Sequence, residues 1–110
     1  KGGLEMEKGI IVARGSIRWF AEHMEAKLSE NDHKGGWEED TADDLLEKLK
    51  AELVELQGEL EPDLVPSSMP VWSANIIREC ADIANYAMMI ADITNRYVYP
   101  YKPPNSRDEQ

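Results

Sequence analysis

The chain has a single cysteine, Cys80, in 110 residues. One thiol can close no intramolecular disulfide and cannot build a thiolate metal cluster. A reducing, cytoplasmic setting is therefore expected. No apolar run approaches the roughly 18 residues of a membrane span, and the amino-terminal stretch lacks a secretory-signal pattern, so no membrane partner is expected. Bases are scarce, 12 Lys and Arg against 22 Asp and Glu, for a net charge of −10. That sign repels a phosphate backbone, which argues against a nucleic-acid partner. It also raises the local cation concentration and so favours a divalent metal. The period-two alternation of strands is missing, as is any internal repeat.

What is present is helical. Hydrophobic residues make up 42% of the chain, enough for one domain with a modest core. Ile10, Ala13, Ile17, Phe20, Met24 and Leu28 recur at steps of three and four, which predicts a first helix over residues 4–30. Gly9 and Gly15 weaken it, and Gly15-Ser16 is a candidate break. The run from Asn31 to Gly36 reads as a turn. Thr41 is a suitable N-cap for a second helix whose stripe is Leu45, Leu46, Leu49, Leu53, Leu56 and Leu60, with Pro62 ending it. A loop bearing Pro62, Pro66 and Pro70 follows. A third helix is predicted over 72–97 with Ser73 as its N-cap. The fold class is thus all-α: a small bundle of three main helices in a domain covering 1–97, then a Pro-rich tail, 98–110. The third helix is apolar around most of its circumference. Two partner helices do not suffice to cover it, which predicts a homo-oligomer.

Within that apolar helix stand two acids, Glu79 and Asp82, three residues apart on adjacent positions. Burying a carboxylate without compensation costs several kcal/mol. On the second helix Glu52 lies between Leu49 and Leu56 at the edge of the stripe, with Glu55 one ridge further out. Packing the two apolar faces brings the four acids together, where they repel and raise one another's pKa. A hard divalent cation resolves this, and Mg²⁺ suits carboxylates that share it with waters and phosphates. The bland alternative is a solvent face, since Glu-x-x-Glu is common on acid-rich helices. It fits Glu52 and Glu55 taken alone better than it fits Glu79 and Asp82. A di-iron carboxylate bundle needs Glu-x-x-His on two helices; the one match, Glu30 to His33, runs into a turn.

At these residues the chain resembles the MazG-like, all-α NTP pyrophosphatase family. That family carries Glu-x-x-Glu, a gap of one to three dozen residues, then Glu-x-x-Asp. Here the pattern is Glu52-Leu53-Val54-Glu55 and Glu79-Cys80-Ala81-Asp82, continued by Asn85 three residues on. The surrounding KLKAELVELQGEL and ECADIANYAMMIAD, and the HKGGW turn, extend the resemblance from residue 33 to 92. One departure is Ala51, where the family often has a further Glu. The resemblance implies a helical bundle assembled as a dimer or tetramer. It also implies Mg²⁺-dependent hydrolysis of a nucleoside triphosphate, (d)NTP, to the monophosphate and pyrophosphate, in the cleansing of nucleotide pools. Mn²⁺ is expected to substitute. Glu52, Glu55, Glu79 and Asp82 are the expected metal ligands. Glu55, with Glu52 beside it, is the expected activator of the attacking water.

Asn85, Lys34, Trp37 and Lys48 are the candidates for substrate binding. Three of them have a structural alternative: a helix–helix hydrogen bond for Asn85, an i,i+4 ion pair with Glu52 for Lys48, a plug in the helix–turn–helix junction for Trp37. Gly35 and Gly36 serve the turn. Trp19 is expected in the core or walling a base pocket, Cys80 and Met88-Met89 in the core. Tyr97, Tyr99 and Tyr101 are expected against a neighbouring subunit. The alternative function is a non-catalytic helical module that binds nucleotides or a partner protein.

Overall fold

A computed structural model describes residues 12–61 and 69–98. Three helices and one 3₁₀ turn account for them: α1 (Gly15–Glu30), the 3₁₀ turn (Asp32–Lys34), α2 (Ala42–Leu60) and α3 (Met69–Val98). No strand occurs among the described residues, so the chain is an all-α helical bundle. No helix among them is long and apolar enough to cross a membrane. The predicted amino-terminal part of the first helix, the Pro62 and Pro66 loop and the tail with Tyr99 and Tyr101 fall outside the described residues.

α3 is the hub. Both α1 and α2 pack on it, α2 along the greater length, and α1 and α2 do not pack on each other. Ala81 and Ile93 of α3 and Leu45 of α2 are buried, and Asn85 is buried with them. The line of α2 that meets α3 runs Ala42, Leu45, Leu49, Glu52, Leu56, Glu59, each less exposed than its neighbours. Steps of three and four keep such a line on one face of a helix. Glu52 therefore occupies a contact position, not the border of the leucine stripe. Leu46 and Leu53 belong to a second row that faces outward. Exposed apolar side chains gather on α1 (Ile17, Trp19), on α2 (Leu46, Leu53, Val54, Leu60) and near the ends of α3 (Met69, Val71, Tyr97). The uncovered apolar surface thus lies mainly on the two flanking helices, whereas the sequence placed it on the third.

The helix ends follow from local chemistry. α1 begins at Gly15, with Arg14 extended before it, so the candidate break is the start of the helix. Its C-terminal turn closes through Asn31, whose backbone N–H donates to the Leu28 carbonyl at 3.0 Å. Gly35 then takes φ 87°, a backbone region that strains any side chain, and this turns the chain towards α2. Thr41 caps α2 as expected: its Oγ1 accepts from the Asp44 N–H at 3.0 Å, with Asp43 and Asp44 in the first turn favouring the helix dipole. α3 starts at Met69, earlier than predicted, so Ser73 lies inside the helix and does not cap it. Proline is tolerated in a first turn, where its missing N–H has no intrahelical acceptor, so Pro70 opens the helix. Trp72 ties this end to α2 by donating its Nε1–H to the Glu59 carbonyl at 2.8 Å, one of the last carbonyls of α2 that lack a helical partner.

Candidate metal centre

Glu52 and Glu55 project from α2 towards Glu79 of α3. One carboxylate oxygen from each lies within 4.8 Å of the other two. Glu52 and Glu79 are half-buried and Glu55 is exposed, so the cluster is open on one side. The Oε1 atom of Glu79 is buried without a hydrogen-bond partner. Burial, a hydrogen bond with Glu52 and the charges of Glu55 and Glu52 push the Glu79 carboxyl up to about 8. In the absence of a cation the Glu79 carboxyl therefore keeps a proton near neutral pH.

The donor set suits a hard divalent ion. All three ligands are carboxylates, the oxygen donors that Mg²⁺ prefers. Their oxygens already lie within 4.8 Å of one another, so small side-chain rotations would let all three reach one ion. The buried, unpaired Glu79 oxygen is the group such an ion would compensate.

Asp82, the fourth expected ligand, is not within this group. Its Oδ1 lies 3.6 Å from Lys27 Nζ of α1. Burial raises its pKa, the Lys27 charge opposes that, and the Glu52 charge adds to it. Helix geometry explains the departure: three residues turn a side chain by about 300°, so Asp82 leans to one side of Glu79, and here that side is α1.

A cleft of about 260 Å³ lies between the C-terminal end of α1, the turn, the start of α2 and the middle of α3. Asp82 lines it, and so do Asn85, Lys34, Trp37 and Lys48, which places all four expected substrate residues around one space. Asn85 donates its Nδ2–H to the Met24 carbonyl at 3.0 Å, the helix–helix bond anticipated for it, yet its Oδ1 stays buried and unpaired. Lys48 makes no ion pair with Glu52 and is exposed at the rim. Trp37 donates its Nε1–H to Asp92 Oδ2 at 2.9 Å, and Arg96 Nε holds the same oxygen at 3.1 Å. The indole is therefore at once an anchor of the turn and a wall of the cleft. Tyr86 stands on the wall as well, its hydroxyl pKa raised by burial and by the charges of Glu52, Asp82 and Asp40.

Other expectations fare differently. Trp19 reaches neither the core nor the cleft; it is half-exposed on α1, edge-on to His23 at 4.6 Å. Tyr97 is exposed on α3. Cys80 and the Met88-Met89 pair are half-buried, with Met89 on the cleft wall. Glu30 pairs with Arg78 and Lys27, which lower its pKa, and His33 is exposed in the 3₁₀ turn, so no Glu-x-x-His site forms there. Lys27, Tyr86 and Asp92 of the site escaped the sequence reading, Tyr86 because it reads as one more apolar position of α3. Lys27 had a signal, a cation between Met24 and Leu28 on the inner face of α1. Asp92 had none, because its partner Trp37 is 55 residues away in the chain. No family model, curated protein or solved structure matches the chain.

Proposed function

We propose that this chain is a MazG-like, Mg²⁺-dependent nucleoside triphosphate pyrophosphohydrolase that splits (d)NTP into (d)NMP and pyrophosphate. The observation that carries the proposal is the meeting of Glu52, Glu55 and Glu79 from two helices beside a cleft rimmed by lysines. An acid cluster alone has many explanations. A cluster with a buried, uncompensated oxygen next to a cleft that offers three lysines, Lys27, Lys34 and Lys48, beside Asp32, Asp40 and Asp82, and the aromatic walls Trp37 and Tyr86, fits a metal-bridged phosphate ester best.

Glu52, Glu55, Glu79 and, after a side-chain turn, Asp82 would hold Mg²⁺ or Mn²⁺. When bound, such an ion neutralises the charge that builds on transferring phosphate oxygens. The chain's own groups do the rest. Glu55 is the exposed member of the cluster, and the oxygen it does not give to the ion can accept a hydrogen bond from water and take its proton, with Glu52 beside it on the contact line. Lys34 and Lys48 meet the phosphate chain as mobile point charges. Trp37 and Tyr86 offer faces to a base, and Asn85 Oδ1 offers an acceptor to a donor of the base or sugar. The outward row of Leu46, Leu53, Val54 and Leu60 supports a homo-oligomer that covers it. The lone Cys80 supports a cytoplasmic setting, in which cleansing of nucleotide pools is the matching role.

Titration of Mg²⁺ and Mn²⁺ into the metal-free protein tests the centre. The wild-type chain takes up the ion, and Glu79→Gln loses roughly tenfold or more in affinity. A Glu79→Gln protein that binds metal as the wild type does would remove the acid cluster from the proposal. Metal and nucleotide binding without turnover would favour the non-catalytic module.

A further inference from the structure

Lys27 is unusual among the basic residues of α1. Arg18 is exposed, whereas the Lys27 side chain is only 15% exposed and turned towards α3. Its Nζ lies 3.3 Å from Glu30 Oε1 and 3.6 Å from Asp82 Oδ1. Glu30 is held in turn by Arg78 at 3.2 Å. A chain of charges, Arg78–Glu30–Lys27–Asp82, thus links the two helices at the edge of the acid cluster. Lys27 also lines the cleft together with Lys34 and Lys48. It thus reaches Asp82 and the cleft at once.

Asp82 is subject to two demands. Its carboxylate is near enough to Glu52 to feel that charge, yet it is neutralised by Lys27. At 3.6 Å the contact is longer than an ordinary hydrogen bond and chiefly Coulombic. A lysine ammonium has no fixed donor geometry and can be redirected by rotating its four-carbon stem. Glu30 keeps Lys27 compensated when Asp82 turns away.

We infer that Lys27 is an exchange residue. In the metal-free protein it neutralises Asp82. When a divalent cation fills the acid cluster, Asp82 turns to the ion, and the released ammonium meets a phosphate oxygen of the substrate in the cleft. The inference rests on the metal-centre proposal above and adds a coupling to it: the ion's arrival releases a cation for the anionic ligand. The expected signature is two opposite signs. Removing Lys27 strengthens metal binding, because a competitor for Asp82 and a repelling charge are lost. The same change weakens triphosphate binding.

The experiment is calorimetric, on the full chain. Mn²⁺ is titrated into metal-free wild type and Lys27→Met. A nucleoside triphosphate with a non-hydrolysable α–β bridge is then titrated into each at saturating Mn²⁺. Lys27→Met is expected to bind Mn²⁺ roughly fivefold more tightly and the analogue roughly tenfold more weakly. Lys27→Arg keeps wild-type Mn²⁺ affinity. Asp82→Asn placed on Lys27→Met removes the Mn²⁺ gain. Lys27→Gln repeats the measurement should Lys27→Met fold poorly, with the same two signs. A lysine that only ties α1 to α3 gives weakened or unchanged Mn²⁺ binding when lost, and that result overturns the exchange while leaving the metal centre standing. A wild-type chain that takes up no Mn²⁺ overturns both.

Discussion

Glu79→Gln in the metal-free protein is the sharpest perturbation of the acid cluster. The folded chain holds a proton on Glu79 up to about pH 8, whereas the unfolded chain releases it near 4.5. Between these values the folded state binds more protons, so stability falls as pH rises. The full shift corresponds to a ceiling of about 5 kcal/mol. Glu55 keeps the cluster open to water, which screens the repulsion, so a loss of about 1–3 kcal/mol is expected between pH 5 and 8. Glutamine carries no charge and donates to Glu52 as the protonated acid does. It should therefore match the wild type at pH 5 and exceed it at pH 8, by roughly 5–15 °C in Tm. Thermal melts in chelator at the two pH values provide the assay. Adding Mg²⁺ at pH 8 should raise the wild-type Tm and leave Glu79→Gln nearly unmoved. A variant less stable than wild type at pH 8 in chelator would refute the reasoning, since it would mean that the ionised Glu79 stabilises the fold.

Three further outcomes follow from individual contacts. Asn85→Ala strips the donor to the Met24 carbonyl and leaves a void between α1 and α3, for a loss of about 2 kcal/mol in chemical denaturation. Asp92→Ala releases both Trp37 and Arg96; hydrogen exchange in the turn between α1 and α2 should quicken, and KM for triphosphate should rise several-fold with kcat little changed. Thr41→Ala removes the α2 cap, costing about 1 kcal/mol of stability by thermal melt, and leaves metal affinity as it was.

The helices were legible because their signals are local. The Thr41 cap and the turn at Gly35 rest on residues within one or two positions, and the observed geometry matches them. The start of α3 was misjudged because proline suits both a loop and a first turn, and only packing, here the Trp72 bond to α2, discriminates between the two. The meeting of Glu52, Glu55 and Glu79 was readable from spacing, since an acid in a contact line demands a partner across it. Asp82 lies outside that group, which spacing could not show, because spacing reports the face of a helix and not which neighbour sits there. Its neighbour proved to be Lys27, from a helix that offered no motif of its own. The Trp37–Asp92 bond belongs to the class of contacts that tertiary geometry alone reveals.

The measurement that tests the central proposal most directly is pyrophosphate release from a panel of ribo- and deoxyribonucleoside triphosphates, with Mg²⁺ and with chelator, followed by ³¹P NMR. Pyrophosphate and monophosphate should appear in equal amounts, only with the metal, and Glu52→Gln should abolish them. Products of diphosphate and inorganic phosphate, or no turnover of any triphosphate by protein shown to be folded, would contradict it.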